Sequence, residues 1–365
     1  MPKPAWLIAA PISATDSKAN TGLYKFLVRL IRGENLSRPE AAEFFRELTD
    51  RNANPAQIAG ALTALTAKGE TEEEITGMME VMIDQAEKIK TRYKNFINIS
   101  GTGTSPAKTF NVSTAAAFVA AGAGIPVAKH TGRAVISQTG GAEVLGALGI
   151  ELLVEPKVVK ACLDGAGLCF MFSPKFHPTV RRVKDISRGL GIRTCLNLLE
   201  ALANPAETPK HLLGVWHPSL LKPVAKALSN SRTERAWVVH GTDGLDEITI
   251  SGETYVVEVE KGKVKKFKIK PEDFGLKPGS IDHLKAETPE ESADIISQVL
   301  KGNRRDEART LIIINAAAAL MIGGVAKEPV KAARIAEQSI ESHSAQIKLE
   351  RLIQTTNRKK SGADD

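Results

Sequence analysis

The order of parts in residues 96–129 constrains this chain more than any other feature. A short apolar run at 96–100 reads as a strand that delivers the backbone to Gly101-Thr102-Gly103-Thr104-Ser105. Glycine there lets backbone N–H groups approach an anion with no β-carbon in the way. Ser113, in Asn111-Val112-Ser113-Thr114, stands at the expected N-cap of an alanine-rich helix, so free N–H groups and the positive end of the helix dipole face one point. A second strand at 126–128 ends at Lys129, which adds a full charge. An ordinary strand-turn-helix connection would carry the same glycines. The capped helix and the strand-end cation together favour a phosphate-holding site.

Around this segment the pattern divides. Residues 1–21 read as an N-terminal extension. Residues 22–92 read as a small all-helical lobe, with Ser37-Arg38-Pro39-Glu40, Asn54-Pro55-Ala56-Gln57 and Thr71-Glu72-Glu73-Glu74 each placing a capping residue three positions ahead of Glu or Gln. In the large lobe, 93–355, strand-like runs at 96–100, 126–128, 169–172, 212–216 and 236–239 alternate with helical runs at 142–148, 158–163 and 219–228. That alternation predicts an α/β lobe with helices flanking a sheet. Runs at 248–250, 255–259 and 264–269, with Gly252 and Gly262 at turns, add an antiparallel excursion, so the central sheet is expected to be mixed. Helices return at 306–322 and 330–342, and 356–365 is expected to be a disordered tail.

The net charge of +7 favours anionic partners, phosphorylated metabolites and nucleic acid alike. The apolar stretch 311–321 is interrupted by Asn315 and falls short of the ~20 residues a membrane span needs, and the apolar run at 5–10 is broken by Pro11. A cytoplasmic location without membrane association is the expectation. Cys162, Cys169 and Cys195 are odd in number, lack C-x-x-C spacing and sit in apolar segments, which predicts buried free thiols.

Asp246-Glu247 is the second chemical signal. The pair follows the apolar run 236–239 and the turn at 240–244, and two adjacent carboxylates beyond a strand end suit Mg²⁺, which takes hard oxygen ligands and commonly only one or two from protein. A solvated acidic loop is the plain alternative. His177, between Phe176 and Pro178, follows a strand, where a histidine serves equally as a packing or surface residue.

These residues also carry a resemblance. Residues from about 24 to 352 resemble the anthranilate phosphoribosyltransferase family through the glycine motif at 101, Asn-x-Ser-Thr at 111, Lys129-His130 followed by Arg133-Ala134-Val135, and Asp243-Gly244-Leu245-Asp246-Glu247. The resemblance implies a nucleoside-phosphorylase-like fold, helices from about 180–203 rejoining the N-terminal lobe, substrates in the cleft between lobes, and a homodimer through the helical lobe. It implies Mg²⁺-dependent transfer of phosphoribose from phosphoribosyl diphosphate to an aromatic amine. Gly101, Gly103, Thr104, Ser105, Asn111, Ser113, Thr114 and Lys129 then belong to the donor site, Asp246, Glu247 and Ser113 to metal, and His177 lies near the acceptor. His130, Gly132, Gly141 and Ser187 fall on further substrate-contacting positions.

The chain also departs from the family. Gly103-Thr104-Ser105-Pro106 stands where Gly-Gly-Asp, overlapping the Gly-Thr-Gly, is usual, so the carboxylate is lost; Gly132 stands where an acceptor-contacting Asn is expected, and Gly141 where a serine is expected. Ser187 replaces an arginine that faces the anthranilate carboxylate, and loss of a bidentate cation is not conservative. Arg188 is adjacent, but one helix position rotates a side chain by about 100°. The metal side therefore reads as intact and the acceptor side as remodelled, for anthranilate or a different aromatic or nitrogenous acceptor. The alternative is the family's inactive branch that binds nucleic acid, through Arg181-Arg182, the lysines of 261–270 and Arg304-Arg305. Against it, Lys266, Lys268 and Lys270 fit the solvated face of a strand, and no aromatic stacking platform accompanies them. A nucleoside phosphorylase, which uses inorganic phosphate, ranks third.

Overall fold

Caps begin the first helices where the sequence places them. In the computed structural model, which describes residues 22–103, 105, 107, 109–132 and 140–358, helix α1 (Gly22–Ile31) is followed by α2 (Arg38–Thr49), α3 (Pro55–Lys68) and α4 (Glu72–Asp84). Asn54 caps α3 by accepting from Ala56 N at 2.8 Å, and Thr71 and Glu74 form a reciprocal capping box on α4. Glu74 is wholly buried, where it also accepts from Leu36 N (2.9 Å) and pairs with Lys68 Nζ (2.7 Å). Removing either partner would leave an uncompensated buried charge.

The large lobe is built on a seven-stranded sheet: β1 (Ile97–Gly101), β2 (Val127–Thr131), β3 (Leu168–Phe172), β4 (Lys210–Gly214), β5 (Arg235–Gly241), β6 (Thr254–Glu260) and β7 (Lys263–Ile269). The spatial order is β3-β2-β1-β4-β5-β6-β7, parallel from β3 through β5 and antiparallel thereafter. The chain leaves β1 on one side for β2 and β3, then crosses to β4 on the other. The β1–β4 boundary is thus the topological switch point, where open α/β sheets leave a crevice at their carboxyl ends.

Helices α5 (Val112–Gly122), α6 (Gly141–Ala147), α7 (Pro156–Ala166) and the single turn α8 (Ser173–Phe176) connect the first strands, and α9 (Arg181–Leu190), α10 (Cys195–Leu202) and α11 (Leu221–Ser229) connect the next. The chain ends in α12 (Pro289–Leu300), α13 (Glu307–Gly323), α14 (Pro329–Glu341) and α15 (Ser344–Asn357). One apolar core joins one face of the sheet to α5 and α13, both buried on nearly every side. A second joins the opposite face to α1–α4, α9, α10 and α11, so the helical lobe shares its core with the sheet.

Three expectations need correction. The run 248–250 is not a strand: both backbone groups of Ile248 are taken by the Asn315 side chain of α13, at 3.0 Å to N and 2.9 Å to O, leaving no ladder to join. Residues 356 and 357, expected in a disordered tail, belong instead to α15, which continues to Asn357, and buried Thr356 Oγ1 accepts from Glu151 N; residues 359–365 of that expected tail lie outside the described residues. Ser113 is not an N-cap; Asn111 takes that position, and Ser113 lies within the first turn of α5.

The three cysteines are free and buried. No helix among the described residues is long and apolar enough to cross a membrane. The lysine-rich β7 is the edge strand, where charge discourages pairing with another chain. Lys268 there is paired with Glu253 at 2.7 Å, and Phe267 packs edge-on against Trp237.

Candidate active site at the sheet switch point

Two glycines open the crevice. Gly101 at the end of β1 stands opposite Gly214 at the end of β4, and the loop after β5 crosses both. A β-carbon on Gly214 would meet the Asp246 carbonyl oxygen at 1.5 Å, and one on Gly101 would meet Asp246 Oδ2 at 3.0 Å. The same Oδ2 accepts from Gly103 N at 2.7 Å and lies 3.3 Å from Thr102 Oγ1. Gly103 reaches this position with φ +68°, a conformation that favours glycine. Ser105 Oγ donates to the Gly244 carbonyl, a second tie between the glycine turn and the acidic loop.

Glu247 reaches the first turn of α5, where its Oε1 accepts from Ser113 N at 2.9 Å. Its Oε2 is buried and has no hydrogen-bond partner among the described residues. Burial pushes both carboxyls up, and the neighbouring Asp246 charge pushes Glu247 further. Lys129 Nζ donates to Ile99 O (2.7 Å) and Ser113 Oγ (3.1 Å). Burial lowers its pKa to about 8, against the pull of Glu247 and Asp246. Asn111 N donates to Ser292 Oγ, and Asn111 Oδ1 accepts from the buried Thr114 hydroxyl at 2.6 Å.

Gly101, Gly103, Ser105, Ser113, Lys129, Asp246 and Glu247 are thus drawn together, with Asn111 and Thr114 beside them. Thr104 lies outside the described residues, as do Pro106 and residues 133–139. No three His, Cys, Asp or Glu side chains among the described residues form a metal cluster. The donor set is instead two adjacent carboxylates with one buried oxygen unpartnered and both pKa values raised. That set fits a hard divalent cation whose remaining ligands come from substrate and water.

A second group sits at the carboxyl ends of β2 and β3. His130 Nδ1 donates to Glu200 O at 2.6 Å, His177 Nε2 donates to Ala203 O at 3.1 Å, and the rings meet edge to face with centroids 4.8 Å apart. Burial, reinforced for His130 by Lys184 and for His177 by His130, lowers both pKa values to about 3, so both rings are neutral at pH 7. Each keeps one buried nitrogen without a hydrogen-bond partner among the described residues, His130 Nε2 and His177 Nδ1. Ser187 is buried on α9 and shares a hydrogen bond with Thr194 (2.8 Å). Gly141 begins α6, where a β-carbon would come within 2.6 Å of Thr131 Oγ1.

Sequence reasoning missed Thr102, Gly214, Asn315, Lys184 and Glu200. The last left a trace: Glu200 is the one charged residue in the apolar run 195–203. The crossing of the acidic loop over Gly214 left none, since it depends on a strand pairing more than a hundred residues apart.

The glycosyl transferase family helical bundle domain matches residues 24–86, and the family's a/b domain matches 93–346. The chain is 42% identical over 325 residues to an anthranilate phosphoribosyltransferase of Moorella thermoacetica, covering 89% of this chain and 96% of that protein. Among solved structures it is similar to the anthranilate phosphoribosyltransferase of Thermus thermophilus, with TM-score 0.85, 35% identity and coverage of 91% and 99%. It is also similar to the Saccharomyces cerevisiae enzyme in complex with PRPP and Mg, with TM-score 0.83, 26% identity and coverage of 92% and 98%.

Proposed function

This chain belongs to the anthranilate phosphoribosyltransferase family of glycosyltransferases, and we propose that it carries out Mg²⁺-dependent transfer of phosphoribose from phosphoribosyl diphosphate to an aromatic or nitrogenous acceptor. The observation that carries this reading is the seating of Asp246 and Glu247 over the β1–β4 crevice, tied to the glycine turn, to Ser113 and through it to Lys129.

Each part has a task in that reaction. Asp246 and Glu247 would hold Mg²⁺, which supplies charge stabilisation to the departing diphosphate. The positive end of α5 faces the phosphate oxygens, the N–H groups of Gly103 and Ser113 hold the two carboxylates in place, and Lys129 supplies a buried cation that strengthens as water is excluded. At the anomeric carbon the bond to diphosphate oxygen breaks and its electron pair leaves with the diphosphate. The acceptor nitrogen's lone pair then forms the new C–N bond, and the nitrogen releases its proton. Holding donor and acceptor in line supplies most of the acceleration, because a diphosphate whose charge is held leaves readily. Neutral His130 and His177 shape the acceptor side with unprotonated nitrogens.

Calorimetric titration of the protein with phosphoribosyl diphosphate, with and without Mg²⁺, tests this reading. Binding that requires Mg²⁺ is expected. Absence of donor binding in the presence of Mg²⁺ would overturn it.

A further inference from the structure

Glu200 stands in the space that a side chain at residue 132 would fill. A β-carbon on Gly132 would lie 1.9 Å from Glu200 Oε1 and 3.0 Å from Oε2. Gly132 and Glu200 are therefore complementary: the missing side chain on one makes room for the carboxylate of the other. Across from it, Lys184 Nζ comes within 2.7 Å of Glu200 Oε1, with both side chains less than one-fifth exposed. The contact is an ion pair without the alignment of a hydrogen bond, since Oε1 has no hydrogen-bond partner among the described residues. Lys184 also donates to Ser173 Oγ. Together with Pro174, Ser187, Leu196 and Asn197, the pair lines a small cavity between α9 and α10, beside the His130–His177 group.

Resting on the transferase reading above, we propose that the Lys184–Glu200 pair sets acceptor choice, selecting a neutral aromatic amine that donates an N–H to Glu200 and rejecting an acceptor that carries a carboxylate beside its amine. Among the described residues, Lys184 and Arg188 are the cations that line the cavity; the more buried Lys184 is already committed to Glu200, and Arg188 pairs with Asp185 at 3.0 Å. An anionic acceptor would have to take Lys184 from Glu200 and leave a largely buried carboxylate facing its own charge, which is costly in a desolvated site. A neutral donor leaves the pair intact and meets an oxygen in need of a hydrogen. Ser187 offers no relief, because its hydroxyl is engaged with Thr194.

The test uses anthranilate and 2-aminobenzamide, which share one shape and differ in charge. Each is titrated into the protein saturated with phosphoribosyl diphosphate and Mg²⁺. The wild type is expected to bind 2-aminobenzamide about tenfold or more tightly than anthranilate. Glu200→Ala should reverse that order by freeing Lys184 for the carboxylate, and the near-isosteric Glu200→Gln should narrow it even where the smaller residue disturbs packing. A wild type that takes anthranilate as well as the neutral amide, or a preference that both variants leave unchanged, would overturn the proposal while donor binding leaves the transferase reading standing. No heat with donor and Mg²⁺ would remove both.

Discussion

Gly214 has no room for a β-carbon, because the Asp246 carbonyl oxygen occupies a point 1.5 Å from where that carbon would stand. The absence of one methyl group lets the acidic loop settle on the end of β4. Gly214→Ala should displace residues 246–247, cost about 1–3 kcal/mol or more in stability and abolish Mg²⁺-dependent donor binding. Gly146→Ala is the control: its β-carbon meets nothing within 4 Å, it lies in α6, and it should stabilise by about 0.5–1 kcal/mol. Urea melts and donor titrations of the two variants decide the matter, and a Gly214→Ala protein that binds donor normally would refute it.

Asn315 anchors the far side of the same loop through both backbone groups of Ile248. Asn315→Leu keeps the volume but leaves a buried N–H and C=O unpaired, a loss of roughly 2–4 kcal/mol. Because Ile248 adjoins Glu247, the donor KM should rise as well. A variant that is destabilised with an unchanged donor KM would show the anchor to be structural alone.

Glu247→Gln should separate stability from binding. Ionising Glu247 works against burial and the Asp246 charge, so the neutral amide should raise stability in the absence of Mg²⁺. The same change should weaken Mg²⁺-dependent donor binding about 10- to 100-fold, and combining it with Asp246→Asn should abolish it. Equal donor affinity for wild type and the double variant would eliminate the metal assignment.

The buried histidines predict acid lability. His130 and His177 have pKa values of about 3 in the folded protein against an ordinary 6.5, so between those values the unfolded chain binds protons that the folded one does not. Stability is then full above about pH 6.5 and falls as pH drops toward 3, by up to about 1.4 kcal/mol per pH unit for each histidine. His211, lowered to about 4 by burial, adds to the same slope. His177→Gln should flatten the decline between pH 6 and pH 4.5 in denaturant melts. An unchanged slope would mean that His177 takes up its proton without unfolding.

Much of this site was legible in the chain because its signals are local. A glycine turn after an apolar run, Asn111 to Thr114 ahead of an alanine-rich helix, and Lys129 at a strand end are each set by backbone preference and charge within a few residues. Asp246-Glu247 was legible for the same reason. Asn111, not Ser113, is the N-cap, a distinction that local preference leaves open because both residue types cap well and lie in one turn. The run 248–250 has the apolar alternation of a strand, and that alternation does not reveal that a distant amide, Asn315, takes the backbone groups a strand needs.

By itself the sequence determined the element types, the mixed α/β plan with its helical lobe, and which residues bring charge or glycine to the strand ends, since periodicity, capping and turn chemistry act over one or two turns of chain. Tertiary structure decided what those residues meet. The order β3-β2-β1-β4-β5 places Gly214 opposite Gly101 and brings Asp246 over both. The packing of α9 and α10 against the end of β2 brings Glu200 to Gly132 and to Lys184. Such meetings join residues far apart in sequence, and they depend on strand pairing and shared core packing that no local preference encodes.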